Sequence, residues 1–123
     1  MIARVLATAA LLLAAGCSST SHASGPTYST PGEMLARTTS VISCGGGDQA
    51  AYMITGALAQ NCQTASGEQY LVATFPTPKV AEEDKQYIAG LSSGYAFTYY
   101  GNGWRVQAES QATLDVLKSA LAK

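Results

Sequence analysis

The chain has 123 residues, 47% of them hydrophobic and 12% charged, and a formal net charge of -1. That length suits one domain, the charge balance argues against a nucleic-acid-binding surface, and the apolar content argues against a long disordered tail. The apolar excess is concentrated in Ile2 to Ala15, a stretch to be set aside before a fold is argued. Arg4 is the one charge ahead of the run Val5 to Ala15. The run is shorter than the ~20 residues that cross a bilayer, but it has the length of the apolar centre of a signal peptide. Residues 1–16 are therefore expected to be a signal peptide.

The run ends in Leu13-Ala14-Ala15-Gly16-Cys17, which resembles the lipobox of bacterial lipoproteins, with Ala14 where leucine is more usual. The resemblance covers residues 1–17. It implies that the Cys17 thiol receives a diacylglyceryl group, that a peptidase then cuts before it, and that Cys17 begins the mature chain. The alternative is a plain secretory signal cut after Ala15 or Ala23. Two acyl chains such as palmitate anchor stably where one does not, each buried CH₂ contributing about 0.8 kcal/mol. The expected place is the extracytoplasmic face of the cell membrane, with the lipid anchor as the membrane contact.

Ser18 to Thr30 reads SSTSHASGPTYST, too poor in large apolar side chains to order itself, and is expected to be a flexible tether reaching roughly 20 Å as a coil. His22, the one histidine, falls in this tether, where no rigid partner holds it for catalysis or metal binding. Residues 31–123 show neither a repeat nor a second linker and read as a single domain.

Thr30-Pro31-Gly32-Glu33 has the form of a capping box with proline in the first turn, so a helix should start here. Its apolar face would be Met34, Leu35, Thr38, Val41 and Ile42, with an end at Gly45-Gly46-Gly47. Asp48 to Gly56 is open between a short helix and a strand. Ser66-Gly67 separates two strand-like runs across Leu58 to Phe75. A two-residue turn there would set Cys62 opposite Leu71 and Leu58 opposite Phe75, while a different loop length would swap the faces. Thr77-Pro78 starts a second helix with Val80, Tyr87, Ile88 and Leu91 as its buried stripe and Gly94 as its end.

Asn102-Gly103 then joins Tyr95–Tyr100 to Trp104–Ala108 in a second hairpin, pairing Tyr99 with Val106 and Phe97 with Ala108. Tyr95 and Trp104 share that side; Thr98, Tyr100, Arg105 and Gln107 take the other. Ser110 caps a last helix with Leu114, Leu117 and Leu121 as its stripe. The expected fold class is α+β in the order α-ββ-α-ββ-α: a small antiparallel sheet of two hairpins with the helices on one face.

With Cys17 acylated, Cys44 and Cys62 remain, and an export compartment permits the one pairing left to them, a disulfide. Two cysteines without a nearby histidine do not complete a metal site, and their spacing is not that of a redox pair. No cofactor or metal is expected. The domain has no histidine to activate a nucleophile. Its densest carboxylate run, Glu82-Glu83-Asp84, sits in the first turns of a helix and reads as a solvated face; Asp48, Glu68 and Glu109 are scattered. Gly45-Gly46-Gly47 lacks the Lys-Ser/Thr of a phosphate loop.

The polar side of the second hairpin remains as a candidate binding surface: Thr98, Tyr100, Arg105 and Gln107, since Tyr and Arg are enriched where proteins bind each other. The order of features, Cys17, a Ser/Thr tether, Cys44, Cys62 and Gly101-Asn102-Gly103-Trp104 after an aromatic strand, resembles small lipoproteins of actinobacteria and their phages. That resemblance implies a non-enzymatic binding or interaction protein of the envelope, whose partner is an envelope or phage protein, with exclusion of superinfecting phage as one form. Regulation or inhibition of a cell-wall enzyme, or a structural envelope role without a ligand, are the alternatives.

Overall fold

The structure, a computed structural model, describes residues 25–45, 56–90 and 95–123. Cys17, Leu91, Gly94 and almost all of Asp48 to Gly56 lie outside them. The elements are α1 (Pro31–Thr38), β1 (Leu58–Gln63), β2 (Gln69–Thr74), α2 (Pro78–Ala89), β3 (Phe97–Tyr100), β4 (Trp104–Ala108) and α3 (Gln111–Leu121). The four strands form one antiparallel sheet in the order β1-β2-β4-β3. The α-ββ-α-ββ-α order and the α+β class are those expected.

The three helices among the described residues start where their caps dictate. Thr30, Thr77 and Ser110 are extended, and each accepts a hydrogen bond from the backbone N–H three residues on, which satisfies one of the donors that a helix start leaves open. Glu33 reaches back one residue beyond the expected capping box, accepting from Ser29 N at 2.6 Å rather than from the N–H of the cap residue Thr30. α1 stops at Thr38, short of the expected end. Thr38-Thr39-Ser40 are poor helix formers, and Val41 N and Ile42 N both turn back to the Thr38 carbonyl. The turn leaves Val41 58% exposed and frees the chain to run extended to Gly45, which bridges Gln63 of β1.

The first hairpin departs from the expected register by one residue. Its loop is three residues long, Ala65-Ser66-Gly67, closed by Thr64 N donating to the Glu68 carbonyl at 2.7 Å, with Gly67 at φ +93°. A glycine of positive φ in the last place of a three-residue loop is a standard hairpin geometry. Cys62 consequently faces Tyr70, and Leu58 faces Thr74. A one-residue slip exchanges the faces, so Cys62, Tyr70 and Val72 share one side while Leu71, Ala73 and Phe75 share the other. The second hairpin has the expected register, Phe97 with Ala108 through Tyr100 with Arg105.

The main core lies between one sheet face and two helices: Met34 and Leu35 of α1, Leu114, Leu117 and Leu121 of α3, and Tyr70, Val72, Trp104 and Val106 of the sheet. The helices do not all share that face. Val80 and Ala81 of α2 pack with Ala59, Ala73 and Phe75 on the opposite side. The pairing explains this: β2 and β3 are both antiparallel to β4, which lies between them, so α2 is the crossover of a split β-α-β unit and has to pass over a sheet face. The first face is already filled by α1 and α3.

The domain also starts earlier than expected. Gly25 to Thr30, read as the end of a tether, is docked. Tyr28 is 9% exposed, meets the Trp104 ring edge-on at 5.8 Å and donates to the Leu121 carbonyl at 2.7 Å. Trp104 Nε1 donates to the Pro26 carbonyl at 3.0 Å and Asn102 Nδ2 to the Gly25 carbonyl at 3.1 Å. A buried indole N–H needs an acceptor, and residue 26 supplies it. Among the described residues no helix is long and apolar enough to cross a membrane.

Candidate functional site

Cys44 and Cys62 form the expected disulfide, with Cα atoms 4.8 Å apart. It ties the turn after α1 to β1 beside Tyr70, whose hydroxyl donates to the Ser43 carbonyl at 3.0 Å. Burial pushes the Tyr70 hydroxyl above its ordinary pKa of 10.0.

Thr98, Tyr100, Arg105 and Gln107 do converge on one sheet face, as the β3–β4 register requires. They do not form an open surface. Arg105 is 0% and Gln107 7% exposed, because α2 lies over them and turns Asp84, itself 0% exposed, into the sheet. Arg105 Nε donates to Asp84 Oδ2 at 2.8 Å and Nη2 to Oδ1 at 3.1 Å, a side-on fork that matches the planar carboxylate. Arg105 Nη1 also donates to Gln107 Oε1, and Gln107 Nε2 to Thr98 Oγ1 at 3.3 Å. The Arg105 guanidinium lies 6.0 Å from the Phe75 ring centre.

Asp84 is therefore not part of a solvated face, unlike the exposed Glu82 and Glu83 beside it. Burial pushes its carboxyl above the ordinary carboxylate value, against the hydrogen bond and charge of Arg105, which pull it down. Tyr100 flanks the pair, and burial, followed by the Asp84 charge, raises its hydroxyl; Arg105 lowers it and Glu82 raises it further. Lys85 Nζ lies 5.1 Å from the Tyr100 ring centre. Tyr95 joins this side as well, not the side of Phe97 and Tyr99: its hydroxyl donates to Asn61 Oδ1 at 3.3 Å, and Asn61 pairs with Leu71. Burial, and secondarily Glu109, raises the Tyr95 hydroxyl.

Asp84 was legible in the spacing. It falls four residues after Val80 and four before Ile88, on the stripe that faces the sheet, and only its charge argued for solvent. Glu68 and Glu109 are engaged singly: Glu68 accepts from the Ser110 hydroxyl at 2.7 Å, and Glu109 from Gln69 N at 2.8 Å. Among the described residues no three His, Cys, Asp or Glu side chains group as metal ligands would. A shallow groove of about 570 Å³ runs between α1 and α3, lined by Arg37, Val41, Asp115, Val116 and Lys123 among others. No family model, curated protein or solved structure matches this chain.

Proposed function

We propose that the chain is a lipid-anchored protein on the extracytoplasmic face of a bacterial cell membrane, and that it acts by binding another protein rather than by catalysis. The observation that carries it is the sequence Leu13-Ala14-Ala15-Gly16-Cys17, set only residues 18–24 ahead of a chain already docked on the domain at Gly25. Two acyl chains on Cys17 would hold the protein stably. A seven-residue coil reaches roughly 15 Å on average, so the domain would ride close to the lipid headgroups. A Cys44–Cys62 disulfide accords with an oxidising compartment.

Binding is favoured over catalysis by the state of the titratable groups. Asp84, the one buried carboxylate among the described residues, is held by a cation, and the described domain supplies no histidine to act as a base. The partner in this proposal is an envelope protein or an incoming phage component, and exclusion of superinfecting phage is its concrete form. The test is crosslinking in intact cells followed by pull-down, with wild type and Cys17→Ala side by side. A specific protein captured by wild type, and lost when Cys17→Ala leaves the membrane or stays as precursor, is the expected result. An unanchored wild-type protein, or an anchored one that captures nothing, would contradict it.

A further inference from the structure

Four large apolar side chains are exposed among the described residues: Val41, Leu58, Tyr87 and Val116. Two of them, Val41 and Val116, line the groove between α1 and α3, together with Arg37 and Lys123. Asp115, the acidic side chain of that groove, accepts from Gln111 Nε2 at 2.8 Å. Apolar side chains flanked by long cations suit the headgroup layer of a membrane, where valines reach the acyl boundary while arginine and lysine carry their charges out to the phosphates. The place where the chain enters the domain points the same way. The Cβ position of Gly25 lies 3.9 Å from the Ala122 carbonyl oxygen, and Tyr28 donates to the Leu121 carbonyl, so the path from Cys17 joins the domain at the C-terminal end of α3, next to Lys123 in sequence. Ser18 to Ser24 contain no large apolar side chain. Seven such residues average roughly 15 Å as a coil, against a width of about 30 Å for a domain of this length. A chain anchored at Cys17 therefore keeps the end of α3 toward the lipid and the opposite sheet face, covered by α2, away from it.

We propose that the groove between α1 and α3 is a membrane-docking face, with Val41 and Val116 entering the headgroup layer and Arg37 and Lys123 binding the phosphates of an anionic lipid surface. Two cationic side chains against one carboxylate give a modest attraction. The face docks because the anchor holds it beside the lipid at a high effective concentration, and the proposal rests in this respect on the lipidated Cys17 proposed above. It leaves the α2 side of the sheet as the one presented to a protein partner.

The test uses the mature protein purified from the membrane fraction and reconstituted in vesicles of phosphatidylcholine with about one quarter phosphatidylglycerol, the acyl chains brominated near the headgroup so that they quench tryptophan on contact. Val116→Trp and Tyr87→Trp are compared after subtraction of the wild type, whose Trp104 is buried. Quenching of Val116→Trp should exceed that of Tyr87→Trp by about fivefold, and adding Arg37→Glu with Lys123→Glu should lower it by about threefold. Equal quenching of the two variants, or none of Val116→Trp, in protein that floats with the vesicles would overturn the docking face and leave the anchor standing. Protein that does not float would overturn the anchor and the face together. An emission shift of Val116→Trp without lipid quenching, lost when the protein is diluted over more vesicles, would assign the groove to a second copy of the chain and overturn the proposal as well. If Val116→Trp does not fold, Val41→Trp, at the most exposed of the four apolar positions, carries the same comparison with the same outcomes.

Discussion

Asp84 and Arg105 show how one buried pair is worth less than its removal costs. Taking away the cation strands the Asp84 carboxylate under α2, so Arg105→Met alone is expected to lower stability by about 3 to 5 kcal/mol, whereas Asp84→Leu with Arg105→Met should be neutral or stabilising. Urea unfolding of the three proteins checks both. The pH dependence has a definite sign. Burial raises Asp84 above its ordinary 3.8 in the folded state, so its contribution is fully present below that value and is lost as pH rises through the folded value. Asp84→Asn should remove that slope from the urea midpoint at acid pH. A second residue-scale prediction concerns Gly101, where an added Cβ would fall inside the Trp104 ring. Gly101→Ala must displace the indole from Tyr28 and Pro26, and should cost at least about 1 to 3 kcal/mol as overpacking does, with a shift in Trp104 fluorescence. The Gly101-Asn102-Gly103-Trp104 run was visible in the sequence, but the reason for its first glycine was not, because the ring that covers it comes to rest only after β4 pairs with β3.

At the scale of elements, local chemistry was the most legible. Thr30, Thr77 and Ser110 each announce a helix by a short-range hydrogen bond that needs no tertiary context. The Asn102-Gly103 hairpin likewise fixes its register from two residues. Less legible was the hairpin at Ser66-Gly67, where one glycine suits a two- or a three-residue loop and only the packing of Cys62 and Tyr70 against the main core selects between them. The face taken by α2 was also hidden, since it depends on the sheet order β1-β2-β4-β3. The helices differ in how they are held. α3 buries Leu114, Leu117 and Leu121, so Leu117→Ala should cost about 2 to 5 kcal/mol. Val80 is half-buried, and Val80→Ala should stay near or below about 1 kcal/mol. Parity of the two, measured by thermal unfolding, would mean that α2 is seated as firmly as α3.

The whole molecule is a small sheet with one large and one thin core, closed at two places by links distant in sequence. The disulfide joins residues 18 apart, and opening it should cost about 3 kcal/mol in the chain-entropy view; the thermal midpoint with and without reductant measures this. The second link is the docking of Gly25 to Tyr28 on Trp104 and Leu121, which a composition-based tether could not foresee because a single tyrosine and a proline carbonyl do the docking. It shortens the stretch between Cys17 and the domain. That geometry has meaning for function only if Cys17 is the anchored end of the mature protein, and the mass of the protein recovered from the membrane fraction tests this most directly. A mature chain that begins at Cys17 and carries a diacylglyceryl group is the predicted result. An unmodified chain beginning at Gly16 or Ser24, as a plain signal cut after Ala15 or Ala23 would leave, would contradict it.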